Sequence, residues 1–343
     1  METFWQNNET NSVIKQSNDD MWNYEKLAQS EKMESRANAP HTIADVLKAT
    51  EEFLGKDLEW DMNQSGESLQ NAIPTLNNEL SKLSDLLKST AQQWSAEKVN
   101  KFLKDNGFTI ELDDSAASEV DVFAASVLNM PVEWSNKWEK WKMRIYEKDS
   151  DWDDDYDNFK EIDSVEMNWI EDIYEVNWHE NPIVKLETKS WDIVYMTKFN
   201  WIPPNGSTWM HTLVTNWNNQ LWENTRQSVW RNGKYKWKLE FPMVDYDKSW
   251  NIDELLWAST LDKDWFPTVI SEAKYQHILK MNDKWAIAKA AAAVATTRWM
   301  WWPKSIYIDW PFVVWFERDG VIPFSAYISE KDMKNPGDFD TES

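Results

Sequence analysis

The sequence predicts an α+β fold, on three observations. Residues 68–90 place Leu69, Ile73, Leu76, Leu80, Leu83 and Leu87 three or four positions apart, the spacing of one helical face. From about residue 140 the pattern changes to short apolar runs separated by polar turns. Near the C-terminal end, Phe312–Phe316 and Val321–Ile328 are joined by Glu-Arg-Asp-Gly, which reads as a hairpin. Helices first and mostly antiparallel strands afterwards is the α+β order.

The remaining elements follow along the chain. Residues 1–40 are polar and weakly periodic, with a helical stretch expected around Trp22–Met33. A helix is expected from His41-Thr42-Ile43, with Thr42 as its N-cap because a short hydroxyl can satisfy a free N–H of the first turn. Ala96–Asp105 reads as another short helix, closed by Asn106-Gly107, since glycine enters the left-handed conformation freely. Val120–Leu128 is a nearly unbroken apolar run, the signature of a buried strand. Two helices are expected among the later strands, near Thr212–Trp222 and Ile252–Ser259, and Lys331–Ser343 reads as a polar tail. No internal repeat is visible.

Composition narrows the classes of function. With 343 residues and 42% hydrophobic content, the chain can build one large domain or two ordinary ones. No run of eighteen apolar residues exists, so no transmembrane helix is expected. The first ten residues show no basic or apolar region of a standard secretory signal, and the compartment stays open. The absence of cysteine removes disulfides, thiolate nucleophiles and cysteine-based metal sites together. A net charge of −23 argues against nucleic acid and anionic membrane surfaces as partners.

Chemistry-bearing motifs are sparse. His41, His179, His211 and His277 show no metal-ligand spacing. The acidic run Asp149–Asp157 alternates carboxylates as a calcium loop does. It lacks the sixth-position glycine, however, and has Lys160 where the bidentate glutamate belongs, so a solvated acidic loop is the reading. No phosphate loop, dinucleotide fingerprint or nucleophile elbow is present. Neither an enzyme nor a cofactor or metal is expected.

Tryptophan and glycine are out of proportion, at 26 against 7. Glycine ordinarily makes up about 7% of a protein. Of these tryptophans 22 lie from Trp134 onward, many in polar surroundings where a turn glycine is expected, as at Trp191, Trp217, Trp250 and Trp285. Glycine supplies positive φ and close backbone approach, which tryptophan does only under strain. One reading is that many of these positions are glycine in the natural protein, through a genetic code that reads UGA as glycine. The other is an aromatic surface for carbohydrate or another flat ligand.

The most informative segment is 282–303, Asn-Asp-Lys-Trp-Ala-Ile-Ala-Lys, four alanines, then Val-Ala-Thr-Thr-Arg-Trp-Met-Trp-Trp-Pro. By propensity alone its alanines favour a surface helix. Read as a strand, Ala286, Ala288, Ala290 and Ala292 share one face, and the run's only charge, Lys289, lies on the other. A segment that slips between two strands and buries one face needs this arrangement, because a one-residue slip would bury the lysine.

Together with Asp309-Trp310-Pro311-Phe312 downstream, this segment resembles the hinge and reactive loop of the serpins, which trap a protease by inserting their own cleaved loop into a sheet. The resemblance runs from about Ala96 to Ile328. It includes Val99–Leu103 with Gly107–Ile110, Asp121–Asn129 with Trp134 and Trp138, Leu239–Pro242 with Ile252–Leu256, and Ile270–Asp283. The family's buried Ser-Pro helix and the strand pair expected before Ala96 have no visible counterpart. The resemblance implies one domain over 1–330, helical over 1–95 and sheet-rich over 96–330, with mixed, mostly antiparallel sheets and about eight helices. It implies a hinge at Asp283, Lys284, Trp285, Ala286, Ala288, Ala290 and Ala292, where the family has glycine at the position of Trp285 and threonine or serine at that of Ala286.

An exposed loop at about 286–303 then carries the bond that a protease attacks, Arg298–Trp299, within a window extending to Met300 and Trp301. Tyr275, His277 and Asn129 fall in the sheet-opening region; for His277 an ordinary half-buried, satisfied histidine is the plainer reading. The implied function is a monomeric suicide substrate for a serine protease, trypsin-like because arginine suits an acidic pocket. A serpin-fold binding or structural protein that never inserts its loop is the alternative.

Overall fold

The computed structural model describes residues 34–55, 59–62, 66–115, 122–135, 138–146, 159–170, 172–176, 179–190, 192–199, 209–223, 237–260, 269–286, 305–309 and 311–337. Strands and helices are numbered in chain order. The C-terminal hairpin of β17 (Phe312–Arg318) and β18 (Val321–Ile328) turns at Asp319-Gly320 and sits at the centre of the fold. Both strands are mostly apolar and buried almost throughout because both faces are covered, as expected of a strand buried on two sides. Val313, Trp315 and Tyr327 face helix α4 (Trp209–Glu223), against Val214, Trp217 and Leu221. Phe312, Val314, Phe316 and Ala326 face the opposite way, toward Leu239, Phe241 and Trp138.

Around the hairpin stands a six-stranded antiparallel sheet, in the order β1 (Arg36–Asn38), β18, β17, β10 (Ile193–Lys198), β9 (Ile183–Glu187) and β8 (Ile173–Tyr174). A second sheet runs β16 (Ser305–Tyr307), β11 (Trp237–Pro242), β7 (Phe159–Ile170), β6 (Glu139–Tyr146), with β16 and β11 parallel. A third has the order β12 (Val244–Asn251), β14 (Lys274–Met281), β15 (Trp285–Ala286), β5 (Val132–Glu133). Two separate pairs join β3 (Leu87–Gln93) to β4 (Val122–Leu128) and β2 (Trp60–Asp61) to β13 (Ser259–Thr260).

Helix α1 (Pro40–Leu54) starts at a proline whose missing N–H costs nothing in the first turn. It closes at Gly55, in the left-handed conformation at φ 66°. Thr42 is not its cap: the N-cap is Ala39, and the Thr42 hydroxyl donates back to Ala39 O at 2.7 Å. Helix α2 (Glu67–Glu79) is shorter than the leucine spacing predicts. A 3-10 turn over Leu80–Leu83 and strand β3 take over its apolar register. Leu76, Leu83 and Leu87 all pack in the cluster that holds Ala44 of α1, so burial, which the spacing encodes, survives the change of backbone. Helix α3 (Glu97–Asp105) ends at Asn106-Gly107 as expected, with Gly107 at φ 88°.

Residues 252–259 are not a helix. Asp253–Trp257 form consecutive turns in which Leu255 N bonds Ile252 O and Ala258 N bonds Leu255 O. Gly66 approaches these turns so closely that an added Cβ would lie 2.6 Å from Glu254 O. The described residues therefore hold four α-helices, not about eight. Of the four tryptophans singled out as turn positions, Trp217 lies buried inside α4 and Trp250 lies in β12 opposite Tyr275, so neither occupies a turn. Trp285 is in β15, and Trp191 lies outside the described residues, as do Trp22–Met33 and the Asp149–Asp157 run. The described part of the polar tail is packed: Met333 is buried, and Lys334 pairs with Asp245 at 3.4 Å.

Candidate functional site

Strand β4 pairs with β3 along its whole length, from Leu87↔Leu128 to Gln93↔Val122, and among the described residues its other edge has no strand partner. Strand β14 pairs with β12 from Val244↔Met281 to Asn251↔Lys274, and among the described residues its other edge meets a strand only at Met281↔Ala286. Between these two half-used strands lies a cavity of about 1140 Å³. Its side walls are Val122–Leu128 and Lys274–Lys280, and α1 contributes Ile43, Val46 and Leu47. On the α1 side Ser126 Oγ donates to Asp45 at 2.7 Å. Ala125 and Val127 point the other way and pack on Val99 and Leu103 of α3. Strand β4 is thus less buried than its apolar run predicts, because one edge faces open space.

The segment leaving α3, Asn106–Asp113, also lines this cavity and is held by side chains of and beside β14. Gln276 Oε1 accepts Thr109 N at 2.7 Å and Ile110 N at 3.2 Å. Lys274 Nζ donates to Glu111 O at 2.9 Å, and Asp113 N donates to Glu272 at 2.8 Å. Gln276 is a functional candidate that the sequence concealed: its partners are 166 and 167 residues away, and a glutamine in an alternating strand carries no local signal.

The segment expected to act as a hinge begins at the end of this cleft. Lys284 N caps onto Asn282 Oδ1 at 2.9 Å, Trp134 Nε1 donates to Asn282 O at 3.2 Å, and Asp283 pairs with Lys140 at 3.6 Å. The chain then reverses into β15, where Trp285 is in register with Glu133 and Ala286 lies between Met281 and Val132. Ala286 is 1% exposed, so its face of β15 is the buried one. Ala288, Ala290, Ala292, Arg298, Trp299, Met300 and Trp301 lie outside the described residues.

Tyr275, His277 and Asn129 all line the cavity. The rings of Tyr275 and His277 stack at 4.6 Å, and His277 meets Phe324 edge-on. Burial pushes the His277 pKa down to about 4, against a hydrogen bond to the backbone of Ala37 that raises it, and pushes Tyr275 up to about 12. Both are therefore neutral near pH 7. His277 is more buried than the half-buried reading expects, and its Nδ1 has no hydrogen-bond partner. Asn129, on the β4 side, is held through its backbone N–H to Leu86 O at 3.0 Å.

A second polar cluster, which the sequence does not announce, joins three helices. His41 Nε2 bonds Glu79 Oε2 at 2.9 Å, and the His41 and His211 rings meet edge-on at 5.6 Å. The His41 bond holds the Glu79 carboxyl below its usual range. Burial first, then the neighbouring His41, pushes His211 down to about 4. Among the described residues no group of three His, Cys, Asp or Glu could hold a metal ion.

The arrangement is a mixed α+β fold of several sheets, with a split sheet and a short strand at one end of the split. No protein-family model matches the sequence, and no curated protein is similar to it by sequence. Among solved structures it is similar to Serpin48, a highly specific serpin of the insect Tenebrio molitor, at 13% identity and a TM-score of 0.51. The match covers 89% of this chain and 94% of that one. No helix among the described residues is long and apolar enough to cross a membrane.

Proposed function

We propose that this chain is a serine protease inhibitor that acts as a suicide substrate: a protease cleaves after Arg298, and the freed segment from Ala286 onward enters the cleft as a strand between β4 and β14. The register of β15 carries this reading. Met281↔Ala286 and Val132↔Ala286 are antiparallel pairs on both sides of one residue. Continuing that register sets Ala288 opposite Leu279, Ala290 opposite His277 and Ala292 opposite Tyr275. On the other side the same residues oppose Met130, Leu128 and Ser126. Period-two alternation keeps the alanines on the buried face that Ala286 already occupies and turns Lys289 to the other. The unpaired edges of β4 and β14 supply the backbone groups that such a strand needs.

The protease supplies the bond-breaking chemistry, so the chain itself needs no catalytic residue, cofactor or metal, and it acts as a monomer. Mixing with trypsin tests this directly. A covalent band that survives boiling in detergent, and a nicked form that melts well above the intact one, are expected; plain degradation with no rise in melting temperature would refute inhibition. A second reading, a serpin-fold binding protein whose loop stays outside, draws on Trp285 and Ala286, which replace the glycine and hydroxyl residue of the family's hinge. It predicts the same melting temperature before and after nicking.

A further inference from the structure

We propose that Trp94 and Trp257 are glycine positions, encoded by UGA and read as glycine where this protein is naturally made. The backbone carries the argument. Among the described residues seven have left-handed φ: Gly55, Gly107, Gly320, Gly337, Asp319, Trp94 and Trp257. Four of the five described glycines are in this group, and the fifth, Gly66, is required by close approach to Glu254, so each described glycine has a left-handed φ or a close backbone approach. Aspartate visits this region tolerably, because its short polar side chain bonds locally. Tryptophan has no such compensation, yet it occupies φ 80° at Trp94 and φ 65° at Trp257.

Burial does not offset that strain. Trp94 is 66% exposed and Trp257 is 73% exposed, the two most exposed large hydrophobic side chains described. Both stand at chain reversals. Trp94 separates the end of β3 from Ser95 and α3, and Trp257 ends the turn before Ala258, its N–H bonded to Ile270 O at 2.8 Å. Nor are all tryptophans of this kind. Trp60 and Trp134 are buried with their indole N–H groups bonded, at 3.3 and 3.2 Å, as genuine tryptophans are.

The same exchange has a consequence for the cleft that rests on the inhibitory reading above. Glycine in place of Trp285 restores the hinge residue that the resemblance expects, and glycine in place of Trp299 makes the cleaved bond an arginyl-glycine bond. The target would then be a protease that accepts arginine followed by a residue without a side chain.

The codons and the natural protein test the proposal without any protease, so the result is separate from the fate of the inhibitory reading. UGA at codons 94 and 257, and glycine at both positions in peptide mass maps of protein purified from its source cells, are expected. UGG at both codons, or tryptophan in both peptides, overturns the proposal. A folding readout adds a third arm: Trp94→Gly and Trp257→Gly should each melt several degrees above Trp94→Ala and Trp257→Ala, the reverse of the usual order, since only a left-handed site prefers glycine. Alanine equal or superior at both positions also overturns it.

Discussion

Gln276 Oε1 accepts the backbone N–H of Thr109 at 2.7 Å, while Gln276 Nε2 donates to Asp247 at 2.5 Å, so one side chain links β12, β14 and the segment that leaves α3. This side chain ties the β12–β14 half of the split sheet to the connection between α3 and β4. Gln276→Ala should leave the Thr109 and Ile110 amides without their acceptor and cost about 1–3 kcal/mol. Hydrogen exchange of those two amides is the direct measurement. Unchanged protection in the variant would show that the bridge is incidental.

A charge on the buried face of the inserting strand should separate cleavage from trapping. Ala290→Arg puts a guanidinium on the buried face, opposite His277 and Leu128 in the continued register. The expected outcome is unchanged melting of the intact protein, ordinary cleavage by trypsin and loss of the detergent-stable band. Lys289→Ala, on the opposite face of the same strand, should keep the band. Equal trapping by the two variants would refute the register.

Arg318 and Asp192 form a bidentate pair, Nε to Oδ1 at 2.5 Å and Nη2 to Oδ2 at 2.7 Å, with the Asp192 side chain 1% exposed. Asp85 bonds the remaining Nη1, and Ser190 donates to Asp192 at 2.8 Å. Removing the cation strands a buried carboxylate, so Arg318→Ala should destabilise by about 3–5 kcal/mol. Combining it with Asp192→Asn should restore part of that loss. Urea midpoints for the four members of the cycle provide the check, and additive losses would argue against a coupled pair.

Stability should fall as the pH drops from 6.5 toward 4. Burial lowers the pKa values of His179, His211 and His277 from 6.5 to about 4. Between those values the unfolded chain binds protons that the folded chain refuses, so acid favours unfolding. Each histidine contributes at most on the order of 3 kcal/mol across that window. Glu79, held below 4.5 by His41, extends the loss to lower pH, because protonating it removes the bond it accepts. Denaturant midpoints measured at half-unit pH steps should show this slope, and His211→Gln should flatten it. A midpoint constant from pH 7 to 4.5 would contradict the buried neutral state.

Elements whose signals are local were legible in the sequence. The Phe312–Ile328 hairpin announced itself through two apolar runs around Asp319-Gly320, and α3 through its closing Asn106-Gly107. Of the alanines expected to share one face only Ala286 is described, and it is buried. What failed depended on distant partners. Leu80, Leu83 and Leu87 keep a helical spacing, yet pairing of Leu87–Gln93 with β4 imposes a strand. Ile252 and Leu255 are spaced for a helix but anchor turns pressed against Gly66. The cleft could not be read at all, because a gap is defined by the edges of β4 and β14, and no residue encodes an absent neighbour.

The pairing of Arg36–Asn38 with Ser325–Tyr327 also constrains biogenesis. The Ser35 and Ser329 hydroxyls lie 3.0 Å apart across 294 positions, so the sheet's edge waits for a strand made almost three hundred residues later. A ribosome-bound nascent chain would expose the apolar partners of β17 and β18 until synthesis reached them. This delay leaves apolar surface open to aggregation during synthesis, and a stop before Phe312 would leave β1 and β10 without the strands they pair with.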